Sequence, residues 1–315
     1  MNDLLNAQEI AEILKITRNT VYELIKRGEL PAVKVGKQVR VSRATVESYL
    51  AGGQRPAAHQ PLAQEAPQTA RLTPALVENP PRTNEFIICG QDVSLDILAN
   101  LLETRSGALQ VHRSYKSSYN GIYSLYQRQV DLATAHLWDG DTGAYNASYV
   151  KKMMPGIPAL LMRIAKRNIG LIVKKGNPDG ITGFADFKRS GIRIVNREAG
   201  SGCRVFLDEN LRLMGLSGER IDGYFNTVKS GFAVCGAVIG GEADVGIGSS
   251  SSALNVSEVD FIPLREECFD LIIRRSDAEK PQFQAVLEVV ASESFKSQLK
   301  SLSGYDTSET GKIIG

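Results

Sequence analysis

Between Ala51 and Thr83 the chain reads AGGQRPAAHQPLAQEAPQTARLTPALVENPPRT and holds six of its twelve prolines: Pro56, Pro61, Pro67, Pro74, Pro80 and Pro81. Proline fixes φ and removes a backbone donor, and the Ala- and Gln-rich remainder offers too little apolar surface for a core. The stretch reads as a linker, so the segments on either side must each fold around a core of their own. The expected division is a head at residues 1–52, a linker at 53–83 and a body at 84–315. A chain of 315 residues accommodates two or three domains.

In the head, Asn6 followed by Glu9 forms a capping-box pattern, and Ala7, Ile10, Ala11 and Leu14 then fall on one face of a helix. A second helix follows after a few residues, with Thr17 as its N-cap, Val21, Leu24 and Ile25 as its inner stripe, and Gly28 at its C-terminal end. Two helices so closely joined are a helix-turn-helix. Val33, Val35, Val39 and Val41 next alternate with Lys34, Lys37, Gln38 and Arg40 around Gly36, which predicts a hairpin. Ser42 caps a short third helix with Val46, Tyr49 and Leu50 on its inner side.

The second helix of such a unit enters the major groove, so its outward residues Asn19, Tyr22 and Lys26 are candidate base readers. Arg18 and Arg27 flank that face as phosphate contacts. Lys34, Lys37 and Arg40 on the hairpin are placed to meet the neighbouring backbone or minor groove. The first fifty residues carry eight basic and six acidic side chains, which accounts for the whole net charge of +2. An excess this small permits DNA binding without requiring it. The segments A-x-E-I-A-E-I-L, T-V-Y-x-L-I-K-R-G-E-L-P-A and V-G-K-x-x-R-V, spread over Leu5 to Leu50, resemble the excisionase or MerR-like winged-helix family. That resemblance implies double-stranded DNA as a partner.

Beyond the linker, apolar strands alternate with amphipathic helices: FIICGQDV with SLDILANLLETR, ALQVHRSY with SSYNGIYSLYQRQ, and VDLATAHL with NASYVKKMM. The class is α/β, and the repeat predicts a parallel sheet. ALLMRIAKRNIGLIVKK reads as a long strand or a bent strand pair leading into a second series, and FIPLREECFDLIIRR as the return, followed by two helices from Pro281. The expected lobes are about residues 84–172 with 268–315, and about residues 173–267.

Small-residue turns placed before helices are potential anion sites, because helix N-termini present unsatisfied amides and partial positive charge. The turn from Lys116 through Ser117, Ser118 and Asn120 to Gly121 is one. The turn from Arg197 through Gly200, Ser201, Gly202 and Cys203 to Arg204 is a second, and it adds two guanidinium groups. Lys229-Ser230-Gly231 is a third candidate, and Gly246 to Ser250 a fourth; the serine run Ser249 to Ser252 reads equally well as a flexible turn. Turns in separate lobes would face each other across a cleft.

From about Phe86 to Gly315 the body resembles the periplasmic-binding-protein-like domain found fused to helix-turn-helix heads, a relative of molybdate-binding transport proteins. The resemblance is carried by VDLATAHLWDGDTGAYN, NREAGSGCRVFLDENL, AVCGAVIGGEADVGIG and GYDTSETGKIIG. It implies a two-lobed type II clamp closing on molybdate or tungstate, with Ser117, Ser118, Ser201, Gly202 and Cys203 as donors and Arg197 and Arg204 as charges. The loop from His136 and Trp138 to Tyr145 would add an aromatic wall suited to a larger anion, such as a molybdenum-cofactor pterin or a nucleotide. Against this, a lone tryptophan is as often core packing, and a histidine is more often structural than a ligand contact.

Cys89, Cys203, Cys235 and Cys268 form no C-x-x-C pair and lie near no histidine cluster, so they are expected reduced and metal-free. No nucleophile and base occur as a set, which argues against an enzyme, and no covalent cofactor is expected. The opening MNDLLNAQEIAEILK lacks the character of a secretory signal and no apolar run spans a bilayer, so a cytoplasmic protein without membrane contact is expected. A homodimer or higher even oligomer is expected too, since one small head buries little DNA surface. The expected function is a one-component transcription regulator. A molybdenum-metabolism carrier, an exported receptor and a recombination factor are weaker alternatives.

Overall fold

The computed structural model describes residues 4–26, 30–35, 38–50, 85–106 and 109–315. The chain divides into two compact units, Met1–Pro74 and Ala75–Gly315. The linker reading at 53–83, the Gly28 cap, the Gly36 turn, Arg27 and Lys37 lie outside the described residues.

The first unit orders strand β1 (Leu4–Asn6), helices α1 (Ala7–Leu14) and α2 (Arg18–Lys26), strands β2 (Val33–Val35) and β3 (Gln38–Ser42), and helix α3 (Arg43–Leu50). Asn6 caps α1 as its sequence predicts: Oδ1 accepts from the Gln8 and Glu9 amides at 2.8 and 3.1 Å, and the Asn6 amide donates to Glu9 Oε2 at 2.7 Å. Thr17 Oγ1 accepts from the Thr20 amide at 3.3 Å and Ser42 Oγ from the Thr45 amide at 3.2 Å, starting the other two helices. The core is Leu5, Ala7, Ile10, Ala11, Val21, Leu24, Leu30, Val41 and Val46. β2 and β3 pair antiparallel as expected of a hairpin, and Leu4–Asn6 adds antiparallel to β3 to make a three-stranded sheet in the order β1-β3-β2. One expectation needs correction: Tyr49 is exposed rather than on the inner side of α3.

The second unit begins with β4 (Glu85–Cys89), α4 (Ser94–Ser106), β5 (Gln110–Ser114), α5 (Ser118–Tyr126), β6 (Leu132–Ala135) and α6 (Ala147–Met153). The long strand β7 (Ala159–Lys174) leads to β8 (Ile194–Arg197), α7 (Gly202–Leu213), β9 (Thr227–Val228), α8 (Gly231–Ile239), β10 (Val245–Ser249) and α9 (Ser250–Ala253). A second long strand, β11 (Val259–Arg274), returns, and α10 (Pro281–Ala291) and α11 (Glu293–Lys300) follow.

All eight strands form one sheet in the order β5-β4-β6-β11-β7-β10-β8-β9. The parallel sheet predicted from the repeat is present inside each lobe, where β5, β4 and β6 run parallel and so do β10, β8 and β9. β7 and β11 pair antiparallel along their whole length, and each is antiparallel to the lobe it adjoins. A chain that leaves one lobe and returns must cross twice in opposite directions, and these strands are the crossings. β10 pairs with β7 from Ile169 onward and β6 with β11 from Asp270, so β7 changes lobes near Asn168, earlier than position 172. Helices cover both faces, with separate cores under α4, α10 and α11, under α5 and α6, under α7, and under α8 and α9.

The head's stability leans on its first cap. Asn6→Ala deletes the two bonds that Oδ1 accepts from the Gln8 and Glu9 amides, and the expected cost is about 1 kcal/mol, read as a lower midpoint for the head in urea denaturation followed by circular dichroism.

Candidate functional site

The lobes meet over a small cavity of about 70 Å³, and three helices aim their N-termini at it. Ser117, Ser118, Ser201, Gly202, Cys203, Ser230 and Gly231 line it from the starts of α5, α7 and α8. First-turn amides have no acceptor within their own helix, so each N-terminus brings partial positive charge and free N–H groups. Ser201 and Ser230 spend their hydroxyls on capping, accepting from the Arg204 and Ala233 amides at 3.2 and 3.1 Å. Ser117 does not: it occupies the N-cap of α5 without a side-chain cap, and its Oγ is buried with no hydrogen-bond partner. A buried hydroxyl left unsatisfied costs free energy unless something absent from the chain completes it.

The floor is ionic. Arg167, from the point where β7 changes lobes, donates through Nε to Glu267 Oε1 at 2.5 Å and pairs through Nη1 with Asp92. Glu267 is its direct cross-strand partner on β11. Asp92 also accepts from the Ser94 amide and hydroxyl and from the Tyr305 hydroxyl. Its carboxyl stays below the usual range, because Arg167 and these donors outweigh burial. Glu267 accepts from His136 Nδ1 at 2.8 Å; burial alone would raise its carboxyl, but His136 and Arg167 hold it at about 2. Both carboxylates therefore face donors in the floor. The Cys203 thiol, by contrast, is pushed up to about 11 by burial and then by Glu267, so it remains neutral.

Arg197 is buried at the wall, with Nη2 donating to Gln91 Oε1 at 2.6 Å and to the Lys229 carbonyl at 3.0 Å. Gln91 in turn donates to Glu198 at 3.0 Å, and the Tyr119 amide donates to the Gly200 carbonyl at 2.9 Å. These bonds join one lobe directly to the other. Gly200 has φ of +82°, and a Cβ there would stand 2.8 Å from Tyr119 Cβ. At Gly202 a Cβ would overlap the His136 ring.

Of the twelve predicted ligand residues, Ser117, Ser118, His136, Arg197, Ser201, Gly202, Cys203 and Ser230 converge on this cavity. Four do not. Asn120, two residues into α5, points into a neighbouring open groove with Tyr115 and Tyr123. Trp138 is 3% exposed and packs in the α7-side core, edge to face with Phe206 at 5.4 Å and with the Arg265 guanidinium 4.7 Å over its ring, so it takes the core-packing alternative and does not line the cavity. Gly200 serves the lobe contact. Arg204 turns away, bonded to Asp208 at 2.9 Å and stacked 4.1 Å over Tyr224.

Sequence reasoning missed Gly90, Gln91, Asp92, Thr134, Arg167 and Phe269 as lining residues, and Glu267 behind them. The available signal was Arg167 inside an apolar strand and Glu267 inside another, since charges so placed must be paired. Ser249 and Ser252 from the serine run also line the cavity. The four cysteines are free, and no metal-holding cluster occurs among the described residues. No helix among them is long and apolar enough to cross a membrane.

In the head, Arg18 and Tyr22 are exposed on α2, and Asn19 and Lys26 belong to the same helix. Lys34 is on the edge strand β2. Arg40 is half-buried on the middle strand, with Nη1 3.5 Å from the Leu4 carbonyl oxygen.

Comparison with known proteins bears on both units. Residues 99–291 match the family described as a PBP superfamily domain, and residues 4–54 a helix-turn-helix domain. The Bacillus subtilis (strain 168) protein YvgK is 40% identical over 98% of this chain and 96% of its own length. A Clostridium pasteurianum protein from the 5' region of a 2Fe-2S ferredoxin gene is 44% identical over 110 residues, 35% of this chain and 97% of the relative. Among solved structures, a Clostridium perfringens ABC-transporter substrate-binding protein with bound phosphate superposes with a TM-score of 0.53 at 16% identity, covering 73% of this chain and 99% of that one. At that identity the likeness concerns the fold.

The Glu267 carboxyl is depressed in the folded chain, so its contribution to stability is complete above the unfolded value near 4.5 and is lost as pH falls toward 2. Glu267→Gln leaves Arg167 half-paired and is expected to cost about 3–5 kcal/mol at neutral pH. In urea titrations at a series of acid pH values, its stability should fall less steeply below pH 4.5 than that of the parent.

Proposed function

Because this chain belongs to the PBP superfamily domain family and carries a helix-turn-helix domain ahead of that fold, we propose that it is a one-component transcription regulator whose head binds operator DNA and whose body senses a compact tetrahedral oxyanion, molybdate or tungstate. The observation that carries the sensing half is the orphaned Ser117 hydroxyl, buried among three helix N-termini and Arg197 in one cavity. Amides, hydroxyls and a guanidinium make that wall a set of donors.

Size and proton chemistry narrow the ligand. About 70 Å³ is far below the roughly 300–1,000 Å³ of sites for drug-sized ligands, which favours a bare oxyanion over a pterin or nucleotide. Asp92 and Glu267 are already engaged by Arg167, Ser94, Tyr305 and His136, so no carboxylate is left to accept a proton from the ligand. This favours fully ionised anions such as molybdate, tungstate or sulfate over hydrogen phosphate.

The head reads DNA through Arg18, Asn19, Tyr22 and Lys26 on α2, with Arg27, Lys34, Lys37 and Arg40 meeting the backbone. A homodimer presents two heads to a two-fold operator, and ligand acts by favouring one arrangement of the pair. The protein works in the cytoplasm and catalyses no reaction.

A thermal-shift series on the full chain tests the sensing half: molybdate or tungstate should raise the body's melting temperature, because a ligand of the native state stabilises it. Ser117→Ala removes one hydroxyl from a charged ligand and should weaken binding roughly tenfold or more. No shift with any oxyanion, or an unaffected Ser117→Ala, would contradict the reading. For the head, Arg18→Ala should weaken operator binding in a gel shift and reduce its dependence on log salt by about one unit; molybdate should change the parent's operator affinity.

A further inference from the structure

We propose that residues 136–146 form a releasable latch between the two lobes of the body: the lobes part only when this strap withdraws from the core under α7, and an oxyanion in the cavity keeps it docked. The ligand dependence rests on the reading of the cavity as an anion site, whereas the latch itself does not.

The strap is rooted in one lobe and buried in the other. At its base, Leu137 packs in the core under α5 and α6. Asn146, fully buried, accepts from the Leu137 amide at 2.7 Å and donates to Asp270 Oδ2 at 2.7 Å. Between them the chain folds back on itself, with the Asp139 amide donating to the Ala144 carbonyl at 2.9 Å and Trp138 bridged to Tyr145. Both aromatic side chains pack in the core under α7, which belongs to the other lobe. At the tip, the Gly140 amide donates to Glu209 Oε2 at 3.0 Å and Asp141 pairs with Arg212 at 2.7 Å, both partners lying on α7. Moving α7 away from the β6 lobe must therefore extract Trp138 and Tyr145 or break the base of the strap.

Docking is favoured by the burial of two aromatic rings, Trp138 lying edge to face with Phe206. It is opposed by the polar atoms those rings carry. Among the described residues, Trp138 Nε1 and Tyr145 Oη are two of the four buried side-chain polar atoms without a hydrogen-bond partner. Water satisfies both once the strap is out, and burying them unpaired costs free energy. The docked strap is thus held by packing and loosened by its own polar atoms, the balance expected of a contact that opens below global unfolding. The route to the cavity is short. His136 begins the strap and lines the cavity, and its ring abuts Gly202 at the start of α7. The same helix gives Ser201, Gly202 and Cys203 to the cavity and Glu209 and Arg212 to the strap tip. An anion held jointly by the N-termini of α5 and α7 fixes the separation that the strap spans.

Trp138 is the chain's single tryptophan, so one indole N–H signal in the nuclear magnetic resonance spectrum of the full chain reports the latch. Its exchange into heavy water should be faster than that of the slowest backbone amides of β7 and β11, because the strap opens before the sheet does. Tyr145→Phe keeps the ring and removes an unpaired hydroxyl; it should slow indole exchange by roughly tenfold without lowering the urea midpoint. Gly140→Ala places a Cβ 2.6 Å from Glu209 Oε2, which must swing away and give up its bond, and indole exchange should quicken by about fivefold. Molybdate should slow indole exchange in the parent and in both variants. Indole exchange no faster than the slowest sheet amides, or a Tyr145→Phe variant that exchanges faster than the parent, would overturn the latch. Molybdate that raises the body's melting temperature yet leaves indole exchange unchanged would overturn its ligand dependence. No melting shift with any oxyanion would instead remove the anion reading, and the two variants then decide the latch by themselves. Should either variant not fold, the parent's indole exchange against its sheet amides decides.

Discussion

The pairing of Arg167 with Glu267 and Asp92 is the constraint on which the body depends. A guanidinium sits buried where β7 passes between lobes, its cross-strand neighbour on β11 is a buried carboxylate, and a second carboxylate arrives from the loop after β4. Desolvating these groups separately would be prohibitive, so the three must assemble together or not at all. Their assembly fixes the register of the two crossing strands and brings the loop after β4 to the same point. It also uses up the acidic groups of the cleft. What remains facing the cavity is largely donors, which is what supports the anion proposed for it.

Well-packed apolar side chains in place of a buried ionic cluster commonly stabilise a protein as well or better. The value of this cluster lies in its geometry. Arg167 holds Glu267, Glu267 orients the His136 ring, and the ring is packed against the glycine that begins α7. One chain of contacts thus runs from the crossing strands to the helix N-termini of both lobes.

Much of this was legible in the sequence where the signal was local. The Asn6 and Glu9 cap, the Thr17 and Ser42 starts, and the serine and glycine turns before α5, α7 and α8 each depend on residues within a few positions of one another. Long-range pairing was not legible. Leu4–Asn6 becomes a strand only because β3 offers an edge, and the antiparallel run of β7 against β11 follows from the chain's return between lobes. Trp138 admits two readings from sequence, a wall beside His136 or core packing, and the second is the one found. The chain turns between the two residues, leaving His136 at the cavity and Trp138 against Phe206. Arg204 differs from expectation for a similar reason: the helix turns it from the N-terminus of α7 toward Asp208 and Tyr224. Arg167 and Glu267 lie a hundred residues apart, and only their shared position on the crossing strands brings them together.

The account stands most directly on where a heavy oxyanion sits. Crystals of the full chain grown with tungstate and measured at the tungsten absorption edge locate it without reference to activity. The account predicts an anomalous peak between the N-termini of α5, α7 and α8, within hydrogen-bonding distance of Ser117 Oγ. A fully occupied peak elsewhere on the body, or an empty cavity at saturating tungstate, would contradict it.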